Sequence, residues 1–236
     1  MPPPPVQRAP APPAADPAIP DWSLPPPPAV QGPTAGFRPL RGLLPSILVL
    51  LVVNVLANAA SVLIPVDPDG PIVATDIVSS VGFGIWLLTS IALAVLVLVF
   101  LYRARRNLDA LGIGGLRWSP GWTIGSWFIP FGNLVLPVLV VAEVWRASGA
   151  RGPWSGAPAG PVRAWWAFFL ISRVLGEVWG VIPLGAAAEF PIGAAHVLAD
   201  AAAAFLFAVV LRGIEGRQAS SAGSRSAWPS TRYPVS

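Results

Sequence analysis

Arg173 and Glu177 stand four residues apart in one long apolar stretch, and His196 and Asp200 stand four apart in the next. Side chains at that spacing share a helix face, so each pair projects from one side of its helix. Ionisable groups within apolar segments of this length are costly and are functional candidates by default. Across two neighbouring helices they allow Arg173 to meet Asp200 and Glu177 to meet His196. Two kinds of chemistry fit that arrangement. One is a buried ion-pair lock that sets the register of the two helices; the other is a proton or cation relay tuned by His196, a side chain that normally titrates near neutrality. Counted at about 1.5 Å per residue from the basic end of each helix, Arg173 lies about 15 Å in, Asp200 about 18 Å, Glu177 about 21 Å and His196 about 24 Å. Asn54 falls about 20 Å from Arg41 on the same count. These five residues form one expected polar layer.

The elements that must carry this layer are membrane helices. Of the 236 residues, 54% are hydrophobic and 11% charged, against about 25% charged in soluble domains; mean hydropathy is +0.66. The expected fold is an all-α integral membrane protein, with four transmembrane helices at about 43–64, 81–101, 164–183 and 193–211. Each is long enough to cross roughly 30 Å of hydrocarbon. The first apolar run begins near Leu43 and is expected to serve as both signal and anchor. Residues 1–40 carry Pro2–Pro5 and Pro25–Pro28 and read as a disordered, partly polyproline II tail. Residues 214–236 read as a second disordered tail, which leaves 41–213 as the transmembrane domain.

A fifth apolar segment, 122–145, is interrupted by Pro130, Gly132, Asn133 and Pro137. Arginine near a helix end stays cytoplasmic, and this decides how the segment is read. If 122–145 crosses, Arg146, Arg151, Arg163 and the four arginines from Arg212 onward face outside. If it dips in and returns, every arginine except Arg173 lies inside. The segment is therefore expected to be re-entrant or interfacial, with Trp127, Pro130, Asn133, Pro137, Glu143 and Trp145 as its marker residues. Trp118, Trp122, Trp127, Trp145, Trp154, Trp165 and Trp166 fall in or beside it and read as an interface belt. Arg103, Arg105 and Arg106 form the expected cytoplasmic basic cluster. Both termini are then cytoplasmic, in a multi-pass protein of the plasma membrane.

Other chemistry is poorly supported. The chain has no cysteine and one histidine, so disulfides, thiolate metal sites and cysteine nucleophiles are excluded, and no metal or cofactor is expected. The glycines of GIGGLRWSPGW lack the Lys-Ser/Thr ending of a phosphate loop, and DPDG lacks the later ligands of a calcium loop. No nucleophile, base and orienting group occur together, so no enzymatic activity is expected. The net charge of +4 suits anionic headgroups as partner and does not call for nucleic acid. Other candidate partners are a protein docked on the proline-rich tail and a second copy packed through Gly176 and Gly180, at small-xxx-small spacing. Two function classes stay open: a non-catalytic membrane adaptor or envelope scaffold, and a small proton, ion or solute transporter or channel subunit that uses the polar layer.

The motifs LYRARRNLDALG, LRWSPGW, WFIPFGNLVLP followed by EVWRAS, ISRVLG and VVLRGIEGRQ resemble the bacterial four-pass membrane proteins catalogued as domain of unknown function 4328, often with a proline-rich N-terminal tail. The resemblance covers about Phe83 to Gln218. It implies the same topology and adds no activity. The family pattern has polar or basic residues after the second proline of the broken segment, where this chain has Val138, Leu139 and Ala142.

Overall fold

The structure, a computed structural model, describes residues 36–63, 72–149, 159–182 and 185–226. The proline-rich stretch to residue 35, the VDPDGP sequence, Arg151, Trp154 and the last ten residues lie outside the described residues. Those described form six α-helices and no strand: α1 (Leu44–Leu63), α2 (Ile72–Ala110), α3 (Trp122–Gly125), α4 (Leu136–Ser148), α5 (Gly160–Val181) and α6 (Ala186–Ser226). A single 3-10 turn, Gly132–Leu134, precedes α4.

Four of these helices, α1, α2, α5 and α6, are long and apolar enough to cross a membrane. Their outward faces carry exposed Val52, Leu56, Ile85, Leu88, Val174, Leu198 and Phe205. Apolar patches of this extent are rare on soluble monomers, and in a multi-pass membrane protein hydrocarbon covers them. The helices start and stop where elementary chemistry allows. Pro161 opens α5 and Pro137 opens α4 within the first two positions, where a missing N–H breaks no intrahelical bond. Past the end of α2, Gly112 adopts φ +65 and the Ile113 N–H donates to the Leu108 carbonyl at 2.9 Å, a left-handed helix stop.

The most extensive interface joins α5 to α6, while α1 packs on both α2 and α6, and α4 on α5, α6 and α2. The principal core lies where α2, α4 and α6 meet, around Phe100, Ala104, Leu108, Val144, Val210 and Ile214. All the ends near this core carry arginine; it is called the arginine end below.

Three boundaries differ from the sequence expectation. Helix α2 begins at Ile72, ahead of the expected span 81–101. Helix α6 begins at Ala186 and holds Pro191 inside, ahead of the expected span 193–211. At its other end α6 runs on to Ser226, where a disordered tail was expected from residue 214. Ile214 and Gln218 of that extension face inward and are buried, and Gln218 hydrogen-bonds to groups on α2 and α4.

Candidate functional site

A cavity of about 420 Å³ lies among the long helices, with Trp127 and Phe128 of the broken segment in its wall. Helices α2 and α5 do not pack side by side, and the gap between them is this space. Asn54, Asn58, Ser90, Arg173 and Asp200 supply its polar lining, and leucine, valine, alanine and aromatic side chains supply the rest.

Asp200 is the hub of the polar end. Its Oδ2 accepts a hydrogen bond from Asn58 Nδ2 at 2.7 Å, and its Oδ1 accepts one from Ser172 Oγ at 3.4 Å. Arg173 approaches Oδ1 at 3.6 Å, so the pair is an ion contact without a short hydrogen bond. The Asp200 side chain is 17% exposed and that of Arg173 46%, which places the carboxylate in the wall and the guanidinium at the opening. Arg173 also lies over the Phe169 ring, 5.7 Å from its centroid. Beside them Ser90 Oγ donates to Asn54 Oδ1 at 2.7 Å, and Asn54 Nδ2 donates to its own helix at Leu50.

The other expected pair does not form. His196 is buried, and its Nδ1 sits 2.9 Å from the Ser172 carbonyl. A ring nitrogen facing a carbonyl oxygen donates, so Nδ1 carries the proton in the neutral ring. Its Cε1 would lie 3.1 Å from a Cβ on Gly176: the glycine lets α6 bring the imidazole against the α5 backbone. Gly176 is thus filled from within the chain, whereas nothing lies within 4 Å of a Cβ on Gly180. Glu177 is exposed and meets no partner among the described residues. At 100° per residue and with α5 already turned to α6 through Ser172 and Gly176, position 177 points outward.

The broken segment doubles back. Glu143, on α4, accepts the Arg117 N–H at 2.6 Å and the Trp118 N–H at 3.0 Å, one on each carboxylate oxygen. The Trp118 carbonyl in turn accepts Arg105 Nε at 2.8 Å. Residues before α3 and near the end of α4 are thereby tied at one place, and with 13 residues α4 is too short to cross. Pro130 and Asn133 are exposed at the turn, and Pro137 is buried at the start of α4. Phe131 holds φ +59 there, a left-handed conformation uncommon for an aromatic residue. Trp127 packs edge-on against Trp166, whose Nε1 donates to the Leu134 carbonyl at 2.9 Å. Trp145 stacks under Arg217, 3.8 Å from ring centroid to guanidinium carbon.

The expected basic cluster divides. Arg105 is buried and held by Trp118 and by Asp109 at 2.7 Å, so it braces the broken segment instead of joining a surface. Arg103 is half-buried and Arg106 exposed.

A family model described as Domain of unknown function (DUF4328) matches residues 69–216. The chain belongs to that family. No curated protein and no solved structure matches it. The DUF4328 match runs from just before α2 to the arginine end of α6, and so takes in α5, the broken segment and Asp200, but not α1 with Asn54 and Asn58.

Four functional candidates in this DUF4328 chain escaped sequence reasoning: Asn58, Ser90, Ser172 and Gln218. The first three are small polar residues in apolar runs, and the available signal was their helical phase. Asn54 and Asn58 are four apart and so share one face of α1. Gln218 donates from Nε2 to the Ala104 carbonyl at 3.0 Å and to Ser148 Oγ at 2.9 Å, and its Oε1 accepts from Asn107 at 3.1 Å. Asn107 also exchanges two hydrogen bonds with the backbone of Arg38. This network fastens α2, α4, α6 and the segment before α1 into one unit.

Proposed function

We propose that this protein is a non-catalytic scaffold of the bacterial plasma membrane, with its arginine end and both termini on the cytoplasmic side. The observation that carries the reading is the preformed surface at that end. Glu143 and Gln218 hold the broken segment and three helices together, while Arg106, Arg117, Arg163 and Arg212 remain exposed around them. Guanidinium groups fixed beside tryptophans suit anionic headgroups and acidic partner surfaces. The proline-rich stretch would add a docking strand for a protein partner, and the open Gly180 face a contact for a second copy.

Because the chain has no cysteine, single cysteines report topology directly. With Arg106→Cys and Gly185→Cys, an impermeant thiol reagent on intact cells should label the second and spare the first. Labelling of position 106 from outside would reverse the orientation and remove the scaffold's cytoplasmic surface.

A second reading, a transporter or channel subunit, draws support from the cavity beside the broken segment, since interrupted helices near a midplane polar site are a transporter arrangement. Proton or ion flux in reconstituted vesicles that disappears with Asp200→Asn would favour it over the scaffold.

A further inference from the structure

The largest unmet hydrogen-bonding capacity at the cavity belongs to Arg173. A guanidinium has five N–H donors and is charged at any accessible pH. Among the described residues none of the five makes a hydrogen bond; the group has the 3.6 Å approach to Asp200 and the face of Phe169. Asp200 does not need it as its main partner, being held on its other oxygen by Asn58 at 2.7 Å. Arg173 therefore presents a free edge of its fork to the cavity it lines, within an apolar band where an unmet donor is costly. Apart from its few polar groups the cavity is lined by apolar side chains, Phe207, Trp127 and Phe128 among them.

We propose that this cavity binds a single-chain amphiphile with a carboxylate head, the head on Arg173 and the chain among the aromatic and aliphatic side chains. Charge complementarity selects the head. The planar fork matches a carboxylate bidentately, and its two edges let one guanidinium bridge the ligand and Asp200. Size selects a single chain. At about 30 Å³ for each water-sized group, 420 Å³ has room for on the order of fourteen such groups, and two acyl chains exceed that. The small polar end, with Asn54 and Ser90 already bonded to each other, suits a compact head better than a phosphodiester. The volume also falls in the range of about 300–1,000 Å³ usual for ligand sites. The site does not depend on which side of the membrane the arginine end faces.

Trp86, Trp127 and Trp165 line the cavity, so a brominated single-chain carboxylate can be followed by quenching of tryptophan fluorescence in purified full-length protein in detergent. The expected result is saturable quenching that unbrominated myristate reverses. Arg173→Leu should weaken it about ten-fold or more, the factor matching loss of one charge-assisted contact, and Arg173→Lys should recover part of it. Ala204→Phe, which narrows the cavity without touching charge, should abolish it, while Glu177→Gln, outside the cavity, should leave it unchanged. The proposal is overturned if quenching rises without saturation, or if Arg173→Leu binds as tightly as the natural chain. It is equally overturned if an unbrominated two-chain phospholipid, single-chain phosphate or alkyltrimethylammonium reverses the quenching better than myristate.

Discussion

Asn58 on α1 donates to the Asp200 carboxylate on α6 across 2.7 Å, joining residues 142 apart in the chain. This contact ties the first long helix to the last at the depth where α5 contributes Ser172 and Arg173. It also divides the roles of the two charged residues: Asp200 is anchored by neutral donors, and Arg173 is left partly available.

Asp200→Leu should therefore destabilise the protein more than Arg173→Leu. The first strands Asn58 and Ser172, each unmade buried bond costing about 1–3 kcal/mol. The second removes a partner that approaches at 3.6 Å without a short hydrogen bond, and Asn58 and Ser172 still hold the carboxylate. Asn58→Leu combined with Asp200→Leu should cost less than the sum of the two single changes. Thermal unfolding in detergent checks the order, and a larger effect from Arg173→Leu would contradict it.

Glu143→Ala should release the loop before α3. Two backbone N–H groups lose a charged acceptor at about 1.5–3 kcal/mol for each such bond, and Glu143→Gln, which keeps one acceptor oxygen, should fall between. Limited proteolysis at residues 112–121 reports the opening; unchanged cleavage would mean that Arg105 alone suffices.

A methyl group at Gly213 would run into the Trp145 indole, whereas nothing lies within 4 Å of one at Gly216. Gly213→Ala should accordingly lower stability by about 1–3 kcal/mol through overpacking. Gly216→Ala should be neutral or raise it by up to about 1 kcal/mol from helix propensity. Equal melting temperatures for the two variants would show that the indole moves aside freely.

Gln218→Leu should be costly despite adding apolar bulk, because Asn107, Ser148 and the Ala104 carbonyl each lose a partner in a site that is 1% exposed. A loss of about 2–4 kcal/mol is expected from the combined unmet groups. Hydrogen exchange should rise together in the α2 end, α4 and the α6 extension, and a rise confined to α6 would argue against a shared network.

The features legible in the sequence were those that local composition dictates. Apolar runs of about 20 residues became long helices because a membrane span must satisfy its own backbone hydrogen bonds. Pro130, Gly132 and Pro137 marked the break in the fifth apolar segment because proline removes a backbone donor and glycine weakens a helix. Arg173 and Asp200 could be paired because both lie at similar depth on consecutive helices. Tertiary structure alone decided where side chains of equal spacing point. It sent His196 to the Ser172 carbonyl over Gly176, left Glu177 exposed, buried Arg105 against Trp118, and kept α6 helical to Ser226 by giving Gln218 partners on two other helices. Spacing along one helix sets a side chain's phase, but its partner is set by the rotation and approach of helices far away in the chain, and those follow from the packing of the whole bundle.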